Sequence, residues 1–230
     1  MTKRARSARP VVTSTGHGDL AASLVLIVPL LLAYEIGVLF AGTVNGADVV
    51  TRALYGAVGS RAAYLLVHAV FAIGFLIWVR RDGRWRTLSL DVAAPVILEA
   101  AVYALTLGAL GALVVQKLLG LGLTTGSLVS ALGAGVHEEL VFRLGAFAGL
   151  VAVLARTQLP RRVSIVLALA ASAALFAAAH HVGAHGEPFT AHVFAYRCVA
   201  GLAFGLIFWF RSLAHAVYAH VLYDLVVALS

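Results

Sequence analysis

The chain has 230 residues, of which 62% are hydrophobic and only 12% are charged, and its mean hydropathy is +0.97. This composition excludes a water-soluble globular domain, because too few polar residues remain to cover its surface. A formal net charge of +7 could suggest nucleic-acid binding. The Lys and Arg residues stand in short clusters between apolar runs, however, as membrane topology signals do, so we expect a lipid bilayer and no nucleic acid as partner.

The chain begins with a basic segment and continues as a series of apolar runs. Residues 1–19 are predicted to be a mobile cytoplasmic tail, and residues 20–230 a single transmembrane domain. Runs of about 20 apolar residues are long enough to cross a bilayer as helix. They predict spans at 20–42, 61–79, 92–116, 129–154, 162–181, 191–210 and 212–229. The predicted fold is therefore all-α, a polytopic transmembrane bundle of about seven helices.

One segment leaves the helix count uncertain by one. The stretch from Asn45 to Gly59 contains Asp48 and Arg52, and it is compatible with an interfacial or re-entrant helix. Alternating the spans from a cytoplasmic N-terminus places most basic loop residues on the cytoplasmic side, as the positive-inside rule requires. These residues are Arg80, Arg81, Arg84, Arg86, Arg156, Arg161, Arg162 and Arg211.

Ionisable side chains within the spans are the natural candidates for function, because a charge in hydrocarbon costs several kcal/mol unless it is paired or hydrated. The densest cluster lies in the fourth span and contains Glu138, Glu139 and Arg143. On a helix Glu139 and Arg143 share one face, whereas Glu138 points about 100° away. Arg143 can then keep one carboxylate ionised while the other acts on water.

Two later spans carry histidines at comparable depth. Phe176 precedes His180 by four residues at the end of the fifth span, and His220 precedes Asp224 by four residues in the seventh. Counting 1.5 Å per residue places Glu138, His180 and Asp224 in the non-cytoplasmic half of the bilayer, with His220 near the midplane. Three separate helices could therefore contribute to one cavity.

These three motifs, in this order, resemble those of the CPBP family of intramembrane proteases, which includes the type II CAAX prenyl endopeptidases. The family pattern is Glu-Glu-x-x-x-Arg, then Phe-x-x-x-His, then His-x-x-x-Asn or Asp. The resemblance covers roughly residues 129–229, including the Gly201–Gly205 stretch, which is similar to a glycine-rich helix of the family. Asp224 stands where the family more often has Asn.

The resemblance implies roles for the matching residues. Glu138 and Glu139 would supply the general base that activates water, His180 and His220 would stabilise the oxyanion, and Asp224 would orient His220. The implied substrate is a membrane-anchored or lipidated peptide, and we expect a multi-pass protein of a bacterial plasma membrane. Because the site is placed toward the non-cytoplasmic side, a secreted leader or a C-terminal sorting anchor is the favoured substrate.

Cofactor use stays open at this point. Two histidines with carboxylates could hold a divalent metal such as zinc at an open catalytic position. We favour catalysis without a metal, because adjacent glutamates diverge around a helix and Arg143 competes with a cation for them. His137-Glu138 begins like the zinc motif His-Glu-x-x-His, but Val141 occupies the second ligand position.

Other polar residues in the spans are interpreted as structural. His68 and His215 are expected to be satisfied core histidines, and Glu35 and Glu99 have no evident partner in the sequence. The readings for Arg197 are evenly balanced between a structural and a functional role. Two alternative functions remain, a transporter or proton-relay protein and a catalytically silent immunity or scaffold protein, because buried Glu, His and Arg also build proton relays.

Overall fold

The structure, a computed structural model, describes residues 19–41, 49–115, 125–182 and 186–229. These residues form eight helices and no strand, which confirms the predicted all-α bundle. Seven of the helices are α1 (Leu20–Ala41), α2 (Val49–Val58), α3 (Arg61–Arg81), α4 (Leu90–Val115), α6 (Arg161–Ala179), α7 (Ala191–Phe210) and α8 (Leu213–Leu229). The predicted tail lies outside the described residues, apart from Asp19.

The remaining helix, α5, is one continuous element with four parts. It consists of Thr125–Gly133 and Ala148–Leu154, which are α-helical, and of Ala134–Glu138 and Leu140–Phe147, which are π-helical. The residues at the three joints all have right-handed helical backbone angles. α5 therefore corresponds to the fourth predicted span, but its middle has wider turns than the α-helix assumed from the sequence.

Within the part of the chain that the structure describes, five helices are long and apolar enough to cross a membrane, namely Leu20–Ala41, Arg61–Arg81, Leu90–Gly108, Arg161–Ala179 and Ala191–Phe210. The apolar part of α8, Leu213–Ala228, is shorter. With 10 residues, α2 is about 15 Å long, too short to cross a bilayer core of about 30 Å. This short helix, in the segment from Asn45 to Gly59, accounts for eight helices instead of about seven.

Polar residues mark the starts of several helices. The Asp19 carboxylate accepts a hydrogen bond from the Ala22 amide at 3.2 Å, and the Ser60 hydroxyl accepts one from the Ala63 amide at 3.2 Å. The Thr190 hydroxyl accepts from the third amide of α7 at 3.4 Å. Each side chain satisfies one of the amides that a helix start leaves unpaired, so the local sequence fixes where α1, α3 and α7 begin.

α8 lies at the centre of the bundle and packs against α1, α4, α5 and α7. Its two ionisable histidines, His215 and His220, are buried together with most of its apolar residues, which are Leu213, Ala214, Ala216, Val217, Ala219, Val221 and Tyr223. α3 lies at the periphery, and its buried residues are Tyr64 and Val79. The helix with the last predicted motif is thus the best packed.

Glycines allow helices to approach closely on both sides of the predicted motifs. A Cβ atom on Gly135 of α5 would lie 2.3 Å from Val221 Cγ2 and 2.9 Å from the Val221 amide nitrogen of α8. A Cβ atom on Gly201 of α7 would lie 3.1 Å from the Ala173 Cα atom of α6. These contacts leave little room for a methyl group, so the two glycines hold α5 against α8 and α6 against α7.

Candidate active site

The acidic pair lies in the interior of the molecule, where the two π-helical parts of α5 meet. The residues Glu138, Glu139 and Arg143 are 7%, 0% and 0% exposed. π-helical turns occur frequently at functional sites, because the widened turn re-aims the side chains that it carries. The acidic pair therefore points into the bundle and not toward lipid, as catalysis would require.

Glu139 is held from two sides. Its Oε2 atom lies 2.9 Å from Arg143 Nε, an ion pair between residues four apart, as the spacing predicted. The two atoms are close but are not aligned as a hydrogen bond. The other oxygen, Oε1, lies 2.8 Å from Nδ1 of His220 on α8. Glu139 thus joins α5 to α8 while its charge is neutralised by Arg143.

Arg143 is enclosed by aromatic rings and a backbone carbonyl. Its guanidinium carbon lies 4.5 Å from the centre of the Phe176 ring and 5.6 Å from that of Phe204. Its Nη2 atom donates to the Gly201 carbonyl oxygen at 3.3 Å. Ring faces stabilise a cation, and a desolvated contact of this kind contributes up to about 2 kcal/mol. α6 and α7 therefore help to keep this buried charge in place.

Glu138 lies between the two histidines. Its Oε2 atom is 3.6 Å from His180 Nε2 and 4.0 Å from His220 Nε2, within ion-pair range but too far for hydrogen bonds. This oxygen is buried and has no hydrogen-bond partner among the described residues. Of the two adjacent carboxylates, Glu138 is therefore the one left available for a further ligand such as water or substrate.

The expected divergence of the adjacent carboxylates does not keep them from a common neighbour, since both approach His220, at different nitrogens of its ring. Glu139 contacts Nδ1 of the His220 ring and Glu138 lies near its Nε2, so both reach the same imidazole. The wider turns of the π-helical segment differ from the α-helical 100° per residue on which the expectation rested. Divergence on a helix is thus no longer a reason against a shared ligand.

Both histidines are oriented through Nδ1. His180 Nδ1 lies 2.8 Å from the Phe176 carbonyl oxygen, and because a carbonyl only accepts, this nitrogen carries the proton. His220 Nδ1 faces the Glu139 carboxylate in the same way. Both rings therefore present Nε2 to Glu138, and Nε2 bears a proton only when the ring is a charged imidazolium.

Aromatic contacts fix the imidazole of His220 further. The Phe204 ring stacks on it with centroids 4.5 Å apart and an angle of 14° between the planes, and Phe176 packs edge-on at 5.9 Å. Phe176 is part of the predicted motif, whereas Phe204 was noted only within the Gly201–Gly205 stretch. In the sequence Phe204 lies between Gly201 and Gly205, and small residues at this spacing were the signal that the helix packs closely there. Both glycines approach α6 in the structure.

Asp224 lies at the edge of the cluster. Its Oδ2 atom is 3.7 Å from His220 Nε2, on the side of the ring opposite Glu139. The prediction that Asp224 orients His220 therefore meets a competing contact, since Glu139 is nearer at 2.8 Å and reaches the other ring nitrogen. All six predicted site residues are nevertheless linked by contacts of 4.0 Å or less.

The other intramembrane polar residues form separate groups. Glu35, for which the sequence offered no evident partner, lies 3.5 Å from His68 and 4.0 Å from His137. On the predicted cytoplasmic side, Glu99 pairs with Arg211 at 2.5 Å and lies 3.5 Å from His215. These residues therefore have polar partners, and the pair of Glu99 with Arg211 is an ion pair.

Arg197 has a partner in the loop before α7. It pairs with Glu187 at 2.5 Å, and the Glu187 amide donates to the His180 carbonyl oxygen at 2.8 Å.

Among the described residues, no group of three or more His, Cys, Asp or Glu side chains is arranged to hold a metal ion.

One comparison with known proteins gave a match, which lies in the second half of the chain. Residues 120–226 match the family model described as type II CAAX prenyl endopeptidase Rce1-like. A search of curated proteins found no match, and neither did a search of solved structures. The matched residues include the acidic pair, both histidines and Asp224. Its long apolar helices make the protein an integral membrane protein, and residues 120–226, a little under half of the chain, are similar to the Rce1-like family of CAAX-type proteases.

Proposed function

We propose that this protein is an intramembrane endopeptidase in which Glu138 activates the water that hydrolyses a peptide bond. The observation that supports this role is the contrast within the acidic pair. Glu139 is neutralised by Arg143 and bound to His220, whereas Glu138 Oε2 is buried without a hydrogen-bond partner. A carboxylate with an unused acceptor, next to two imidazoles, is suited to accept a proton from water.

The reaction begins with water between Glu138 and the scissile carbonyl. Glu138 takes one proton as the water oxygen bonds to the carbonyl carbon, and the carbonyl oxygen becomes an oxyanion. His180 and His220, as imidazolium ions, donate Nε2–H to this oxyanion, which lowers the energy of the transition state. When the oxyanion collapses and the C–N bond breaks, Glu138 returns its proton to the leaving nitrogen, which gives an amine and a carboxylic acid. The acid keeps the second water proton until it passes that proton to the amine or to solvent and becomes a carboxylate.

The substrate is proposed to be a membrane-anchored or lipidated peptide. Support comes from the family description, which names prenyl endopeptidases, and from the burial of the site among membrane-spanning helices. The basic loops favour a cytoplasmic N-terminus in a bacterial plasma membrane. This orientation places His180, at the end of α6, toward the non-cytoplasmic face, where secreted leaders and sorting anchors are found.

A comparison in cells tests the proposal. The parent, Glu138→Gln and His220→Ala are expressed at equal levels, and membrane-anchored proteins are quantified by mass spectrometry. We expect the same uncleaved protein to accumulate in both variants while the folded variant proteins persist. Accumulation of a small solute instead would indicate a transporter, and no difference from the parent would indicate a silent scaffold.

A metal chelator provides a further arm of this test. Because Arg143 already neutralises Glu139, we expect the parent to keep its activity in the chelator. Loss of cleavage that zinc restores would contradict hydrolysis by the carboxylate alone and would assign Glu138, His180 and His220 as ligands.

A further inference from the structure

A second buried carboxylate cluster reaches α5 at His137, the residue before the acidic pair. Glu35 of α1 is 5% exposed and accepts hydrogen bonds from the Thr51 hydroxyl of α2, at 2.9 and 3.1 Å, and from the Tyr64 hydroxyl of α3. His68 Nε2 lies 3.5 Å from it, and His137 Nε2 lies 4.0 Å from it. Four helices thus meet at one carboxylate, which we call the Glu35 cluster.

The two histidines of the Glu35 cluster are bound alike. His68 Nδ1 lies 2.9 Å from the Tyr64 carbonyl oxygen, and His137 Nδ1 lies 3.1 Å from the Gly133 carbonyl oxygen. Nδ1 therefore carries a proton in both rings, and Nε2 faces the Glu35 carboxylate. An additional proton on either Nε2 turns this contact into an attraction between opposite charges.

α1 contacts α5 at the turn immediately before the acidic pair. The Tyr34 ring lies edge-on to the His137 ring, with centroids 5.0 Å apart. A Cβ atom on Gly133 would lie 2.3 Å from Tyr34 Cε2, so the ring rests directly on the α5 backbone. Tyr34 and Glu35, two consecutive residues of α1, therefore both contact the turn from Gly133 to His137. Glu138 is the next residue in the chain.

We propose that Glu35 and His137 are positioning residues that hold this turn so that Glu138 faces His180 and His220. The inference rests on the proposed function, and it gives Glu35 of α1 a part in positioning the site. Glu35 lies outside the matched residues 120–226, so the family motifs do not account for it. The contact acts through the backbone of α5, because Glu35 itself touches none of the proposed reacting groups.

His68 supplies a matched control, because it contacts the same carboxylate but belongs to α3 instead of α5. Cleavage by His137→Leu, Glu35→Gln and His68→Leu is measured on a farnesylated CAAX peptide and on any protein that accumulates with Glu138→Gln. We expect His137→Leu to lower kcat about tenfold with little change in KM, since small misplacements of a reacting group slow catalysis strongly. His68→Leu should keep the parent kcat.

Two further variants separate positioning from a loss of folding. His137→Gln retains an amide donor for Glu35 or for the Gly133 carbonyl, so we expect it to recover part of the lost kcat. The double variant Glu35→Gln/His137→Leu should be no slower than His137→Leu, because both changes remove one contact. Equal effects of His137→Leu and His68→Leu on kcat, or no effect of either, would overturn the proposal.

A labelling measurement keeps the proposal independent of the substrate. Dicyclohexylcarbodiimide reacts with protonated carboxyl groups in membranes, and mass spectrometry gives its rate of reaction with Glu138. We expect labelling to be about threefold faster in His137→Leu, because the turn is loosened locally, and unchanged in His68→Leu. If the parent cleaves nothing but this labelling pattern is found, the proposed function alone fails. Identical labelling in all variants would contradict the positioning role.

Discussion

The two carboxylate clusters that include residues of α5 differ in how completely the hydrogen-bonding capacity of the carboxylate is satisfied. Glu35 accepts hydrogen bonds from two hydroxyl groups and has two imidazoles within 4.0 Å. Glu138 is similarly buried and also lies near two imidazoles, but its Oε2 has no hydrogen-bond partner among the described residues. Both glutamates are surrounded by apolar helices, and only the details of their partners distinguish them.

The difference shows why burial and histidine neighbours alone do not identify a reacting group. A saturated carboxylate is held by its donors and contributes to packing, since each buried hydrogen bond stabilises by about 1 kcal/mol. A carboxylate with an unused acceptor retains the desolvation cost of that acceptor and is ready to bind water. Arg143 lowers the free-energy cost of burying two adjacent carboxylates, because it neutralises the charge of Glu139.

The largest expected effect on stability comes from removing Arg143. In Arg143→Met, Glu139 becomes a buried charge without its partner, and we expect a loss of about 3–5 kcal/mol in the free energy of unfolding. Denaturation in mixed detergent micelles measures it. Arg197→Met is the matched control, because Arg197 is 24% exposed beside Glu187 and such a pair contributes about 0–1 kcal/mol. Equal losses of stability in the two variants would show that the buried Arg143–Glu139 pair stabilises the protein no more than the partly exposed Arg197–Glu187 pair.

The histidine nearest to Glu138 should matter for rate more than for stability. Replacing an oxyanion donor typically lowers kcat by about 10²–10³, so we expect a loss of this size in His180→Gln. His181→Gln is the control, because His181 is the next residue and is also bound through Nδ1, at 3.0 Å to the Glu187 carbonyl oxygen. If kcat fell by the same factor in both variants, the role assigned to His180 would be wrong.

The close approach of α5 and α8 provides a smaller effect. In Gly135→Ala the added methyl group overlaps Val221, and we expect destabilisation by about 1–3 kcal/mol with a lower kcat, because α5 is pushed away from His220. Gly149→Ala on the same helix has nothing within 4 Å of the new methyl group, and it should gain up to about 1 kcal/mol. An unchanged Gly135→Ala protein would mean that the two helices are not in tight contact.

The smallest effect is expected outside the membrane-spanning segments. Partial burial raises the pKa of Asp19, but the hydrogen bond from Arg84, the hydrogen bonds from the Ala22 and Ala21 amides and the positive charge of Arg84 together outweigh it and hold that pKa below the usual 3.8. The lowered pKa stabilises the folded protein above pH 3.8, and this contribution is lost as the pH falls through the folded pKa. Asp19→Asn should therefore cost at most about 1 kcal/mol at neutral pH, with the difference vanishing in acid. A difference that grew in acid would reverse the assignment.

Much of the candidate site follows from spacing in the sequence. Residues four apart on a helix meet, so the Glu139–Arg143 pair and the proximity of His220 to Asp224 could be predicted from one segment each. The order and depth of the motifs also predicted that α5, α6 and α8 converge. These contacts depend on the geometry of a single helix and on the depth of a residue within an apolar span, and both can be derived from residue spacing in the sequence.

Other features depend on tertiary contacts that no local pattern encodes. The π-helical turns of α5 give the adjacent carboxylates directions that an α-helix would not. The partners of Glu35 belong to α2, α3 and α5 and lie at least 16 residues away from it in the chain. The short helix α2 also lies in the segment for which the sequence did not decide the structure. Which glutamate keeps an unused acceptor emerges only when all of these contacts are assembled.

The most direct test of the account is the single-turnover rate of peptide-bond cleavage by purified Glu138→Gln, compared with the parent at equal amounts of folded protein. Loss of a general base predicts a fall of about 10²–10⁴ in this rate, with the free energy of unfolding nearly unchanged because Glu138 makes no hydrogen bond through Oε2. Retention of the parent rate would contradict the assignment of Glu138 as the group that activates water.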